Sequence, residues 1–460
     1  AQWGEDCQFK FNGMWSFAIL DKEKKELIIS RDRYGVKPCY ISKQNNKIIF
    51  SSEIKGIISS EENYNLDSKK FLLADKYKER CFTTEYENID IVQPGFFYKI
   101  NITNLEISKH RWWNGLNNLP KIEISRKKRI EDLKNKLNEA IKLRLISDTK
   151  IATSLSGGVD SSIIFTILNK MESNNKKIDL NPFIVSYDKN KTIDQAINLS
   201  KKYNKEPVII ECKEEDDLSN LSNLFSSIEL TTIYNNQYNL YKKQNKMGFK
   251  ISIDGHGADE CFGGYKSDLM YFGMHFQNNI ANLYETLTNL GGEKYLTNIV
   301  NKFGLIKSLK KFNLNTQNII TNNYITNSYT QNHKIDLIPE SLKEDIINLD
   351  NFDFPFQILY LNANYGHMQW LLNKWDKSSM AHSVEMRSPF LDWNLFQYAI
   401  ALPPETKIER GVNKSLLRES YQSEMPEEIN NIKFKQGLPS SEIKINAKSL
   451  KIIQKIIHEK

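Results

Sequence analysis

The sequence predicts an α/β protein, with a doubly wound parallel sheet and added helices in its C-terminal two-thirds and a β-rich block before it. Three observations carry this expectation. From Lys127 onward, strand-like apolar runs alternate with helical ones, the pattern of parallel strands joined by helical crossovers. Two of those strand-like runs end in glycine-rich, acid-bearing loops, at Ser156–Ser161 and at Asp254–Tyr265, where sheets of this kind hold their ligands. Before Trp113, strand-like runs are separated by short charged or Pro-Gly turns. At 460 residues the chain exceeds one ordinary core, so two domains are expected, over 1–115 and 127–460.

In the first block, 11–20 (FNGMWSFAIL) and 25–30 read as paired strands across Asp21-Lys22-Glu23-Lys24. A charged turn at 31–38 follows, then strand-like runs at 39–42 and 48–53. Gln93-Pro94-Gly95 is a further turn between strands, and Arg111-Trp112-Trp113 closes the block before a polar linker to about Arg126. In the second block, Ile130, Leu133, Leu137, Ile141 and Leu145 recur at helical spacing. A strand then leads to Ser156, and a helix starts near Val159. Strands are expected at 182–187, 207–211 and 250–254, helices at 192–204 and, in pieces, at 217–247. Everything after Asp259 reads as helix and loop, and 275–350 carries no chemical pattern.

Composition narrows the function classes. No stretch has the length of apolar residues that spans a bilayer, and the start has no basic flank before an apolar run. The first residue is not methionine, which suggests that the true N-terminus is missing or processed. Five cysteines are scattered without a C-x-x-C pair, which argues for a reducing, cytoplasmic setting and against a zinc site or disulfide frame. The net charge of +7 is modest, and the lysines are spread among Glu and Asn, as on a solvated surface rather than a nucleic-acid groove.

Ser156-Gly157-Gly158-Val159-Asp160-Ser161 stands where a strand turns into a helix. Glycines permit the tight turn and leave backbone N–H groups converging, and the helix adds its positive end. No Gly-Lys-Ser/Thr follows, so this is not a Walker A loop. With Asp160 beside it to hold Mg²⁺, such a cradle suits departing pyrophosphate better than a transferred γ-phosphoryl group. The plain alternative is a Gly-Gly turn closing a βα unit. The second loop, Asp254-Gly255-His256-Gly257-Ala258-Asp259-Glu260, opens another helix with two acids, of which Asp259 is a second candidate for Mg²⁺; here the plain alternative is an N-capped helix. A third stretch, Trp375 to Asp392, sets acids and bases among apolar residues and reads as an internal ion-pair network that either binds substrate or only packs helices. The lysines of Asn413–Glu419 and Lys433–Pro439 would, taken alone, be solvent-facing.

Together these stretches resemble the glutamine-dependent asparagine synthetase family nearly end to end. They match its phosphate loop (Ser156–Ser161), its Gly-Ala-Asp-Glu-x-Phe-Gly-Gly-Tyr stretch (Gly257–Tyr265), its Asp-x-x-Ser-Met-Ala to Pro-Phe-Leu-Asp stretch (Asp376–Asp392) and its closing Lys-x-Gly (Lys435–Gly437). Phe11–Ala18, the 31–38 turn, Ser52–Lys55 and Pro94-Gly95 resemble the second half of the family's glutaminase domain. The resemblance implies an adenine nucleotide α-hydrolase-like synthetase domain preceded by a partial α+β N-terminal-nucleophile glutaminase domain.

What it implies about residues is specific. ATP would be bound by Leu155, Ser156, Gly157, Gly158, Val159, Asp160, Ser161, Val185, Asp254 and Gly255, with Mg²⁺ on Asp160 and Asp259. His256, Lys435 and Asp259 would be catalytic. Gly257, Glu260, Asp376, Ser379, Glu385 and Arg387 would bind the acceptor. Small-molecule partners are implied (ATP, aspartate or another carboxylate, ammonia or glutamine), with no nucleic acid, no membrane and a possible homodimer.

Two departures shape the expectation. The half of the glutaminase domain that carries the nucleophilic cysteine has no counterpart here, and Ala1 cannot replace it, so a fragment is expected. His256 stands where the family usually has an acid, which leaves aspartate as the leading acceptor and another carboxylate, in sugar or secondary-metabolite chemistry, as the alternative. Glu229-Leu230 replaces the usual Glu-Pro. A tRNA-modifying enzyme of the same phosphate-loop type or a degenerate binding module is a third reading. The absent C-x-x-C pair and basic patch weigh against the first of these, the intact cradle and Asp259 against the second.

Overall fold

A computed structural model describes residues 2–44, 46–60, 64, 65, 67, 84, 86–174, 179–187, 192–212, 235–265, 268, 272, 275 and 339–432. The chain divides into two compact units, one of Ala1–Leu133, Gly257–Leu372 and Asp392–Leu417, the other of Lys134–His256, Asn373–Leu391 and Arg418–Lys460.

Among the described residues, the N-terminal part of the first unit, Ala1–Leu133, carries seven strands in two antiparallel sheets: β1 (Ser16–Asp21), β2 (Glu26–Arg31), β3 (Tyr40–Gln44), β4 (Lys47–Ser51), β5 (Ile89–Ile91), β6 (Phe96–Asn101) and β7 (Ile107–Arg111). One sheet runs β1-β2-β6-β7 and the other β4-β3-β5. Ile29, Cys39, Ile41, Val92, Tyr98 and Ile100 form one core cluster, and Tyr40, Ile54, Ile57, Ile89 and Ile91 a second.

The charged turn between β2 and β3 is buried, and it folds around its own charges. Asp32 accepts from the amides of Trp15, Tyr34, Val36 and Lys37. Arg31 donates to the carbonyls of Gly35, Lys37 and Val92 at 2.7–2.8 Å. Gly35 has φ +64°, and a Cβ there would stand 2.7 Å from Pro94 Cγ, so only glycine fits the turn. Arg33 lies 4.8–5.7 Å from the ring centroids of Trp15, Trp112, Trp113 and Trp393, and burial lowers its pKa to about 10.

The unit's helices include Glu340–Leu349, Phe354–Asn364 and Trp393–Ala401. The last two start from the side-chain caps Asp353 and Asp392, whose carboxylates take the first free amides. Arg111, at the end of β7, meets Asp345 in a two-pronged ion pair, both N–O distances 2.8 Å. Asp345 Oδ2 also accepts from the hydroxyls of Tyr360 (2.7 Å) and Tyr365 (2.6 Å).

Among its described residues, the second unit has five parallel strands: β8 (Ile151–Ser154), β9 (Leu180–Tyr187), β10 (Val208–Cys212), β11 (Ile251–Ile253) and β12 (Glu385–Arg387), in the order β10-β9-β8-β11-β12. In sequence rank that is 3-2-1-4-5, so the order reverses between β8 and β11. There the chain leaves two neighbouring strands toward different partners and opens a crevice at their carboxyl ends. β8 and β11 are buried almost throughout, as two-sided parallel strands must be. The Thr153 hydroxyl donates to the Ile253 carbonyl at 2.9 Å across this seam. Leu133, Leu137 and Ile141 of the helix Arg126–Arg144 are fully buried, as their spacing predicts.

One expectation needs correction. The chain after Asp259 is not helix and loop alone, because Glu385–Arg387 is the edge strand of the parallel sheet. Three residues between Ser383 at positive φ and Ser388-Pro389 are too few to show a period of two. The helical pieces expected over 217–234 and most of 275–350 lie outside the described residues.

Candidate active site

The first loop leaves β8 still tied to the sheet, since the Leu155 amide donates to the Phe183 carbonyl of β9 at 2.9 Å. Gly157 then turns the chain at φ +74°, and the 16-residue helix Val159–Asn174 begins with Asp160 in its first turn. Two hydroxyls staple the loop. Ser156 Oγ and Ser161 Oγ are 2.9 Å apart, the Ser156 amide donates to Ser161 Oγ at 3.1 Å, and the Gly158 amide to Ser156 Oγ at 3.3 Å. A helix N-terminus flanked by rotatable hydroxyls is a ready seat for phosphate. Val185, on β9, is 7% exposed.

The second loop backs onto the first. A Cβ on Gly255 would stand 3.1 Å from the Ser161 amide nitrogen and 3.3 Å from Asp160 Cβ, so any side chain here would push the two loops apart. Gly255→Ala is therefore expected to destabilise the second unit by about 1–3 kcal/mol, the range that overpacking costs elsewhere. Urea unfolding checks it, and an unchanged midpoint would mean that the loop absorbs the methyl group.

Asp254 is 2% exposed and is held on both oxygens. Oδ1 accepts from Ser154 Oγ (2.6 Å) and Ser252 Oγ (2.7 Å), and Oδ2 from the Tyr241 hydroxyl (2.6 Å). Burial, with the Asp254 carboxylate beside it, pushes the Tyr241 pKa well up, so Tyr241 stays a neutral donor. His256 Nε2 lies 3.7 Å from Asp254 Oδ2. The imidazole stacks on Trp375, with centroids 3.5 Å apart and planes 18° from parallel. Ser388 Oγ donates to the His256 carbonyl at 2.6 Å.

In the first unit, Gly257 at φ +91° precedes the short helix Ala258–Phe262, on which Asp259 and Glu260 are both buried. Asp259 Oδ1 pairs with Lys414 Nζ at 2.5 Å, and Glu260 accepts from the Tyr265 hydroxyl. A Cβ on Gly264 would fall 1.9 Å from Asp259 Oδ1, so glycine is required there. Asp268 joins this cluster. Burial pushes its pKa up to about 8, against the Tyr265 amide hydrogen bond, with Asp259 and Glu260 adding to the rise and Lys414 opposing it.

The third stretch divides by element. Asp376 and Ser379 are buried in the last turns of the helix His367–Met380. Glu385 and Arg387 pair with each other at 2.6 Å on β12. Arg387 also donates to the carbonyls of Arg144 and Ile146, both at 2.8 Å, and so caps the end of the helix Arg126–Arg144. Lys435 and Gly437, like Glu229-Leu230, lie outside the described residues.

The structure thus brings Asp160, Ser161, Asp254, Gly255 and His256 to one sheet edge. Sequence reasoning missed Tyr241, Ser154 and Ser252 as partners of Asp254. A tyrosine on a helix ten or more residues upstream carries no local signal, whereas Ser252 does alternate with apolar residues on β11 and Ser154 ends β8. Among the described residues, no group of three or more His, Cys, Asp or Glu is arranged to hold a metal ion. Mg²⁺ that is bound largely through substrate phosphates needs only one or two carboxylates, and Asp160, in the first turn of its helix, is of that donor type. No helix among the described residues is long and apolar enough to cross a membrane.

The asparagine synthase family model matches residues 132–460, and a glutamine amidotransferase domain model matches 1–113. The chain belongs to the asparagine synthase family. It is similar to a putative glutamine-hydrolysing asparagine synthetase 2 of Methanocaldococcus jannaschii, with 28% identity over 81% of this chain and 68% of the relative. Asparagine synthetase 1 of Bacillus subtilis is 24% identical over 95% of this chain and 69% of its own length. An amidase, chry2, of Gibberella zeae is also 24% identical, over 92% of this chain and 69% of the relative. Asparagine synthase family membership makes this an ATP-dependent, amide-forming ligase.

Proposed function

We propose that the chain amidates aspartate to asparagine, with ATP consumed to AMP and pyrophosphate through an acyl-adenylate. The observation that carries this reading is the meeting of the Ser156–Ser161 loop and the Asp254–His256 loop at the reversal of strand order. One loop offers a phosphate seat, and the other places an imidazole beside it.

In this reading the Ser156–Ser161 amides and hydroxyls hold the β- and γ-phosphates while the acceptor carboxylate attacks the α-phosphorus. Val185 and Gly255 belong to the nucleotide side, and Gly257, Glu260, Asp376, Ser379, Glu385 and Arg387 to the acceptor side. Asp160 and Asp259 are the carboxylates for Mg²⁺, which would neutralise phosphate charge when bound. Lys435 is the candidate for the same task at the leaving group. His256 then takes a proton from the attacking nitrogen as the C–N bond forms and AMP departs with the electrons of the broken C–O bond. We assign the synthetase to 127–460 and the glutaminase part, which would supply ammonia from glutamine, to 1–115.

A second reading keeps this chemistry with another carboxylate. It is favoured by His256 in place of an acid and by relatives described as amidases. Pyrophosphate release with ATP, Mg²⁺ and ammonium separates the two. Aspartate-dependent release with asparagine formed supports the first reading, and silence with aspartate but a signal from another acid moves the protein to the second. His256→Ala is expected to spare pyrophosphate release while slowing amide formation about 100-fold, in the range of general-base catalysis. Equal loss of both activities would mean that His256 serves ATP binding or packing.

A further inference from the structure

Asp254 resembles a nucleotide-binding residue by position in the motif, but its surroundings point elsewhere. It is almost fully buried, and its two oxygens already accept three hydroxyl hydrogen bonds, from Ser154, Ser252 and Tyr241. Gln244 Nε2 donates to Ser252 Oγ at 3.1 Å, so the serine is itself oriented. Three directional contacts from three elements, β8, β11 and the helix Asn235–Lys246, hold the carboxylate in one orientation. A carboxylate only accepts, and Oδ2, which keeps a further lone pair, lies 3.7 Å from His256 Nε2. That is a few tenths of an ångström beyond hydrogen-bond reach, the kind of gap that closes in a substrate complex. Trp375 lies flat against the ring, and Ser388 holds the backbone carbonyl of the same residue.

We infer that Asp254 is a positioning residue that fixes the His256 imidazole in the tautomer with its proton on Nε2, which makes Nδ1 the atom that accepts the proton in amide formation. The inference deepens the proposed role of His256 and rests on it. The balance is simple. Ammonia attacks the acyl carbon and the N–C bond forms, one N–H proton passes to Nδ1, and the acyl C–O bond breaks with its electrons leaving on AMP. The imidazolium then carries protons on both nitrogens, and its Nε2–H points at a buried carboxylate that stabilises the new charge. Tyr241, Ser154 and Ser252 act one step further out, by holding Asp254 in place.

The test uses the whole chain with ¹⁵N-labelled histidine, the His256 signals being assigned by their loss in His256→Gln. The expected wild-type result at mildly alkaline pH is the Nε2–H tautomer, with Asp254→Asn moving the ring toward Nδ1–H. A wild-type Nδ1–H ring, or a tautomer indifferent to Asp254→Asn, overturns the inference. With ATP, Mg²⁺, aspartate and ammonium chloride, Asp254→Asn is expected to lower amide formation about tenfold or more beyond any change in pyrophosphate release. A parallel fall of both would return Asp254 to the nucleotide side. Tyr241→Phe, which keeps the packed ring and removes one hydroxyl, is expected to lower the amide yield in the same direction, and it carries the test if Asp254→Asn does not fold. His256→Gln separates the two levels. An undiminished amide yield in that variant sinks the base role while the tautomer result stands by itself.

Discussion

Asp345→Ala is expected to destabilise the first unit by about 3–5 kcal/mol, the range for removing one partner of a buried ion pair. Asp345 is wholly buried, and the Arg111 side chain is 17% exposed. Burial disfavours the Arg111 charge, but the Asp345 hydrogen bonds and the field of Asp345, Tyr365 and Tyr360 outweigh it and hold the guanidinium above its ordinary pKa. Deleting the carboxylate leaves that cation desolvated and takes the acceptor from two tyrosine hydroxyls, so the loss exceeds what a surface pair contributes. Glu344, which reaches the same guanidinium at 3.2 Å, is too exposed to compensate. Urea unfolding followed by tryptophan emission measures the change. A shift below about 1 kcal/mol, the worth of a surface pair, would show that the ion pair is no more than neutral.

Asp160→Ala is expected to lower pyrophosphate release by about 100–1,000-fold, the scale on which single charge-stabilising groups act in transfer chemistry. The same change costs the helix Val159–Asn174 only its acidic first turn, worth about 0.3–1 kcal/mol, so a folded but inactive protein is the predicted outcome. Asp160→Asn is expected to behave alike, because the amide keeps the shape and loses the charge. Release that persists in either variant would remove Asp160 from the phosphate chemistry.

The parts legible in sequence were those whose cause is local. β8 and the Gly-Gly turn after it are set by the short Ile-Ala-Thr-Ser run, two glycines and the helical spacing that follows, so loop and helix start fall as expected. Leu133, Leu137 and Ile141 mark the helix before it for the same reason. The hidden parts depend on distant residues. β12 is a strand only because Lys250 and β11 offer it an edge, the Glu385 amide donating to the Lys250 carbonyl at 2.8 Å. Arg387 reads in the sequence as a member of an ion-pair network, and only the fold adds the two carbonyls some 240 positions earlier to which it donates. Asp254 reads as one more acid of a glycine loop, and only the fold supplies the tyrosine and the two serines that define its environment.

The stack of His256 on Trp375 also makes the second unit report on itself. The sequence has seven tryptophans, at 3, 15, 112, 113, 370, 375 and 393, and Trp375 alone falls within the segments of that unit. An indole in van der Waals contact with an imidazole loses emission when the imidazole gains its proton. With the other six replaced by phenylalanine, the brightness of this one indole would follow the protonation of His256 during turnover, with no label added to the chain.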